Sequence, residues 1–344
     1  MNRAIPNLMF AQADPWAWQA HPEVWALIAG IIGLGFYATR VIGPKYASHY
    51  EARAEAKELV GAGVSSAASN TSAALGEASP LNDSEAHGDS KEHGGFEIVT
   101  TKHKRYFALG VLSFYFAADW PMHDIAEEYL YSAHMLQHLL ITFFIPIFFL
   151  QATPEWLARL ILGGGDQERT WVGKLAKPVV AGVIFNILAA LTHWNGIVQA
   201  SADSGPFHFG IHLLMFSTAL LMWMPVLGPI PELRLSVPGQ MIYLFLMSII
   251  PTVPAGWLTF ADNVVYPAYD IPVRLFGLSV IHDQQAAGAI MKILGGVFLW
   301  IMIAIRFFKY SGAERAADLE RRIVRPLTYS DVEAEFERSQ PPEG

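Results

Sequence analysis

Seven apolar stretches, at about 23 to 42, 105 to 120, 127 to 150, 178 to 195, 207 to 226, 239 to 257 and 285 to 307, dominate this chain. An α-helix needs roughly 20 apolar residues to cross about 30 Å of hydrocarbon. Inside that layer every backbone N–H and C=O must be paired within the protein, which a helix does segment by segment. The expected fold class is therefore all-α: a polytopic membrane protein with seven transmembrane helices. The 344 residues are 53% hydrophobic and 16% charged, too apolar a balance for an ordinary soluble domain. The lipid bilayer is the first expected partner, and nothing points to nucleic acid.

Basic residues orient such a chain better than net charge does. Arg40, Lys45, Arg53, Lys57, Lys91, Lys102, Lys104 and Arg105 lie between the first two stretches, and Arg159, Arg169, Lys174 and Lys177 lie in the third inter-span loop. The C-terminal tail adds Arg306, Lys309, Arg315, Arg321, Arg322, Arg325 and Arg338, whereas the opposite side has only Arg3 and Arg274. This asymmetry predicts an N-terminus outside and a C-terminus in the cytoplasm. Trp16, Trp18, Trp25, Trp120, Trp194 and Trp257 then form an outer aromatic belt, with Trp156, Trp171 and Trp223 at the inner boundary. Asp14 and Pro15 interrupt the N-terminus where a cleaved signal would need an apolar run, so the first span is read as a retained helix.

The expected organisation has four parts. Residues 1–43 hold an outer segment and the first span, and 44–104 form a cytoplasmic linker. Residues 105–310 form a six-helix domain, and 311–344 a charged tail. Within the linker, 61 to 95 are rich in Gly, Ala, Ser and Asn and show no apolar period, which reads as flexible. His87 and His93 there are read as solvated. In the tail, Ala313 to Arg322 reads as a charged helix and Ser330 to Arg338 as a second, amphipathic piece.

Seven histidines, His123, His134, His138, His193, His208, His212 and His282, lie in or beside four of the stretches. An ionisable group in a bilayer is costly and is retained for a ligand, a proton or an ion. The basic-residue orientation places all seven near one outer face. His134 and His138 are four apart, as are His208 and His212, so each pair shares a helix face about 6 Å apart along the axis. Both helices run inward, so the pairs fall at similar depth and are expected to converge. His193 ends the fourth stretch, and His123 and His282 flank the third and seventh.

The chain has no cysteine, which excludes disulfides and thiolate metal sites. Any metal must take His, Met, carboxylate or backbone. Imidazole suits copper, zinc and iron, and thioether selects Cu(I). Met122, Met135, Met215 and Met291 lie in the same half, and Met291 joins the histidines as a candidate ligand. Lys292, about two turns into the seventh stretch, must snorkel outward or pair with a carboxylate such as Asp119, Glu127, Glu128 or Asp283.

Several strings here resemble one family. They are His134-Met-Leu-Gln-His138, Thr192-His193-Trp194, Pro206-Phe-His208-Phe-Gly-Ile-His212 leading to Trp223-Met-Pro225, and Asp283-Gln284-Gln285-Ala-Ala-Gly288-Ala-Ile-Met291. Together, over about 105 to 308, they are similar to the polytopic CtaG-type cytochrome c oxidase assembly factors of bacteria. A single-span, cysteine-bearing copper chaperone shares that name, and this chain has neither feature. Asn195 stands where the family pattern leads one to expect proline. The resemblance implies a multi-pass protein of the bacterial plasma membrane, without an enzymatic activity, whose partners are cytochrome c oxidase subunits or other oxidase assembly factors. It also implies help in supplying a copper ion.

Other readings of the same histidines are a membrane b-type cytochrome holding haem b, a copper transporter, or an intramembrane metalloenzyme. Transport calls for polar groups continuing inward, and the inner halves offer little beyond Asn186 and Thr218. Glu127 and Glu128 fall outside any HExxH pattern, so a zinc hydrolase lacks its general base.

Overall fold

The computed structural model describes residues 16–49, 52, 98–163, 170–324 and 329–339, and the described residues are helical with no strand. The 61 to 95 stretch with His87 and His93, and the N-terminal segment through Pro15, lie outside them. The main helices are α1 (Pro22–His49), α2 (Thr101–Ala118), α3 (Tyr131–Ala152), α4 (Pro178–Thr192), α5 (Asn195–Asp203), α6 (Gly205–Leu227), α7 (Val237–Ile249), α8 (Thr252–Thr259) and α9 (Val280–Val324).

All seven apolar stretches are thus helical, but not all meet the length and hydropathy of a membrane span. α1, α3, α6, α7 with α8, and α9 do so. α4 has 15 residues and reaches a span only together with α5, across a 72° bend. α2 includes Lys102, Lys104 and Arg105 among its 18 residues, which leaves too short an apolar run to qualify. Among the described residues five or six helices are long and apolar enough to cross a membrane, which marks a multi-pass membrane protein. α9 runs unbroken for 45 residues, about 68 Å at 1.5 Å per residue, so the charged tail helix continues the last span. A separate helix, Tyr329–Ser339, covers the second tail piece.

The core gathers Leu139 and Phe143 of α3, Phe185 of α4, Met215, Ala219 and Trp223 of α6, Leu244 of α7 and Leu299 of α9. Trp223 is fully buried, so it does not belong to an inner aromatic belt. Its place follows from Pro146, which lacks the N–H that would pair the Thr142 carbonyl one turn earlier. The Trp223 indole donates to that carbonyl instead, at 2.9 Å. Here α3 also passes through a π-turn, Leu140–Phe144, immediately after His138. Trp223→Phe keeps the ring but orphans a buried carbonyl, and is expected to cost about 1–3 kcal/mol, read as a lower melting temperature in detergent.

The start of α9 fastens the end of the bundle where the histidines lie. The Asp283 carboxylate accepts the Tyr131 N–H at 2.7 Å, the Ser132 N–H at 3.1 Å and the Ser132 hydroxyl, so it caps α3 from another helix. Gln284 accepts from the Val265 and Tyr266 N–H groups and donates to the Tyr266 carbonyl, while Gln285 donates to the Ala261 carbonyl. Gly288 lets α9 meet α8: a Cβ there would lie 2.7 Å from the Ala255 carbonyl oxygen and the Thr259 nitrogen. The Asn195 amide donates to the Val265 carbonyl, tying α5 to the same loop.

Lys292 takes neither route expected of it. Its ammonium donates to the Ser248 carbonyl at 3.3 Å and to the Thr252 hydroxyl, at the break between α7 and α8. Pro251 and Pro254 interrupt the backbone ladder there, leaving polar groups that a nearby cation satisfies.

Candidate metal centre

The two histidine pairs do converge. α3 and α6 place His134 and His138 against His208 and His212, with ring centroids 4.4 Å apart within the first pair and 4.2 Å within the second. Across the helices, His134 lies 5.6 Å from His212 and His138 4.9 Å from His212. The Nε2 atoms of His138 and His212 are 3.1 Å apart. One ring nitrogen from each of His134, His138 and His212 fits within a 4.8 Å span, close enough for one ion. With metal–imidazole bonds of about 2.0–2.1 Å, a 3.1 Å nitrogen separation subtends roughly 95–100° at a shared ion.

His193 comes in from the end of α4. Its Nδ1–H donates to the Ala189 carbonyl at 2.6 Å, which leaves Nε2 as the lone-pair nitrogen. His134, His138, His193, His208 and His212 line one cavity of about 30 Å³, closed by Tyr131, Met135, Ser201 and Tyr269. Tyr131 stacks on His134 at 5.7 Å and 17°. Three ring nitrogens of the lining residues, His134 Nδ1, His193 Nε2 and His208 Nε2, are buried without a hydrogen-bond partner among the described residues. Buried polar groups are ordinarily satisfied, and an unpaired one is costly. Unpartnered imidazole nitrogens on residues that line one small cavity suit a metal ion.

The other expected ligands sit elsewhere. His282 is exposed at the start of α9, and its neighbour Asp283 holds the structural bonds. Met291 lines a second cavity of about 70 Å³, which touches His138 and His193 from the other side and also contains Met135, Met215 and Met247. His123 lies beside the centre in the short helix Met122–Asp124. Gln137 Nε2, a donor only, bonds its Nδ1 at 3.2 Å, so Nε2–H donates to Glu127 at 2.8 Å. Burial disfavours the charged imidazole, but the Glu127 hydrogen bond and charge outweigh it and hold His123 above the ordinary histidine pKa.

Two residues enter that were not among the candidate metal ligands. Glu127 sits between the clusters, with its second oxygen 3.7 Å from His208 Nδ1. His21, the residue before α1, approaches His123 at 5.0 Å between ring centroids and donates to Asp124 at 2.7 Å. Its sequence signal was its place before the first span, at the end the basic-residue rule assigns to the other histidines.

The comparison with known families now bears on this arrangement. Residues 89–312, about two thirds of the chain, match the family model described as cytochrome c oxidase caa3 assembly factor. The chain belongs to this family. No curated protein and no solved structure matches it. The match takes in α2 through most of α9, so the histidine pairs, the Asp283 cap and the His193 turn all fall inside the caa3 assembly factor region.

Proposed function

We propose that this caa3 assembly factor binds copper as cargo at the His134, His138 and His212 centre and passes it to the nascent oxidase in the bacterial plasma membrane. The observation that carries this reading is the close set of three imidazoles around a cavity with unpartnered ring nitrogens. Imidazole alone binds copper well but without the grip of thiolate, which suits an ion that must leave again.

In this reading all seven helical stretches cross the membrane, with the N-terminus outside and the tail in the cytoplasm. The α2 cations then sit at the inner rim, and the histidine centre faces the outer side. Exchange of an ion at that rim explains why the histidines lie near the ends of their helices rather than at mid-membrane. No catalytic step is assigned to the protein.

The geometry disfavours the alternatives. Two axial imidazoles on one haem iron would stand about 4 Å apart on opposite sides of a porphyrin, at bond lengths of about 2 Å. The 3.1 Å contact between His138 and His212 is shorter than that gap and suits a small shared ion better. For transport, Asn186 donates to the Gly182 carbonyl and Thr218 to the Leu214 carbonyl, so both turn back onto their own helices. Detergent-purified protein is expected to take up copper and show no Soret band. A stoichiometric Soret band would assign the histidines to haem instead.

A further inference from the structure

Beside the three-histidine centre lies a second group of metal-type donors, assembled from segments far apart in sequence. His21 Nε2 contacts Asp124 Oδ1 at 2.7 Å, and His123 meets His21 edge to face. One donor atom from each of His21, His123 and Asp124 lies within 4.8 Å of the others. Asp124 is only 4% exposed, and its other oxygen, Oδ2, has no partner among the described residues. A structural ion pair with His21 would account for Oδ1 and leave that buried oxygen unexplained.

The donor chemistry differs from that of the inner centre. Here two imidazoles stand with a carboxylate, and a 2.7 Å separation subtends roughly 80–85° at an ion held by bonds of about 2.0–2.1 Å. Mixed nitrogen and oxygen donors near right angles suit the tetragonal preference of Cu(II). Glu127 adds a second carboxylate, bonded to His123, and Glu23 lies 3.4 Å from His21 Nδ1. Asp119, close by, accepts from the Trp25 indole at 3.0 Å. The local excess of carboxylates favours a divalent cation.

We infer that His21, His123 and Asp124 form a second copper site that takes Cu(II), separate from the three-histidine centre and joined to it through Glu127. The two oxygens of Glu127 face His123 at 2.8 Å and His208 at 3.7 Å, and His208 stands 4.2 Å from His212. An ion held at the first site is therefore one carboxylate and one imidazole away from the second. Because His21 precedes α1, docking of that helix completes the site. This inference rests on the copper reading but assigns a distinct site.

The test is Cu(II) titration of the full-length protein in detergent, read by calorimetry and by the electron paramagnetic resonance of bound Cu(II). Wild type is expected to bind two equivalents. His21→Gln with Asp124→Asn, which keeps polar groups able to hydrogen-bond, is expected to lose one equivalent and retain the other. His134→Ala with His138→Ala is expected to lose the complementary one. Two equivalents of unchanged affinity in the His21→Gln/Asp124→Asn protein would overturn the second site, as would a lower melting temperature with unchanged copper uptake, the mark of a structural clamp. A wild type that binds one equivalent, lost only with His134 and His138, would also overturn it and leave the copper reading standing. Binding of no copper would overturn both.

Discussion

Cells whose only copy of this protein carries His134→Ala and His138→Ala are expected to assemble a cytochrome c oxidase with at least about 10-fold less copper, while the variant itself accumulates normally. Both imidazoles belong to the three-residue centre, and their removal takes away two of its three ligands. Even residues that only orient metal ligands are worth about 10–100-fold in metal affinity or activity, so loss of two ligands sets a lower bound of that order. The fold gives little reason for the protein to disappear. Among the described residues His134 Nδ1 has no hydrogen-bond partner, and the His138 ring bonds only to His212. The measurement is metal content per purified oxidase, beside immunoblot levels of the variant. Oxidase with a full complement of copper would refute delivery through this centre.

Asp283→Ala is expected to cause the largest loss of stability, about 3 kcal/mol, seen as a fall in melting temperature in detergent. One buried carboxylate satisfies two backbone N–H groups and a hydroxyl at the start of α3. Hydrogen bonds to a charged group contribute about 1.5–3 kcal/mol each in the folded state, and donors left unpaired in a buried place cost more than those exposed to water. A helix N-terminus also attracts a negative charge, which Ala removes and Asn weakens. Asp283→Asn, keeping one acceptor oxygen, should therefore fall between wild type and Ala. Because His134 and His138 lie in the first two turns beyond this cap, copper affinity should weaken in the same order. Wild-type melting behaviour in Asp283→Ala would show that the cap carries no weight.

Much of this architecture was written locally. Each apolar stretch is a continuous run, so its helix could be read from composition and length alone. The pairing of His134 with His138 and of His208 with His212 follows from helix periodicity, and their meeting from two helices that start at the same end. What was illegible depends on contacts distant in sequence. The Asp283 carboxylate reaches back across 152 residues to Tyr131, so the sequence offers Asp283 only as a carboxylate near Lys292 and does not show that it caps another helix. Trp223 resembled a boundary tryptophan until the carbonyl freed by Pro146 gave its indole a buried partner. His21 joins Asp124 over 103 residues, past the 61 to 95 stretch, and no periodicity links them. For Lys292 the sequence suggests a carboxylate or the interface, because it does not reveal the polar backbone opened by the α7–α8 break.

Whether the three clustered imidazoles hold copper is decided by copper analysis of purified wild type beside the His134→Ala/His138→Ala protein after identical loading and dialysis. The double variant, with unchanged folding, is expected to retain one equivalent fewer than wild type. Equal copper in the two proteins would contradict it.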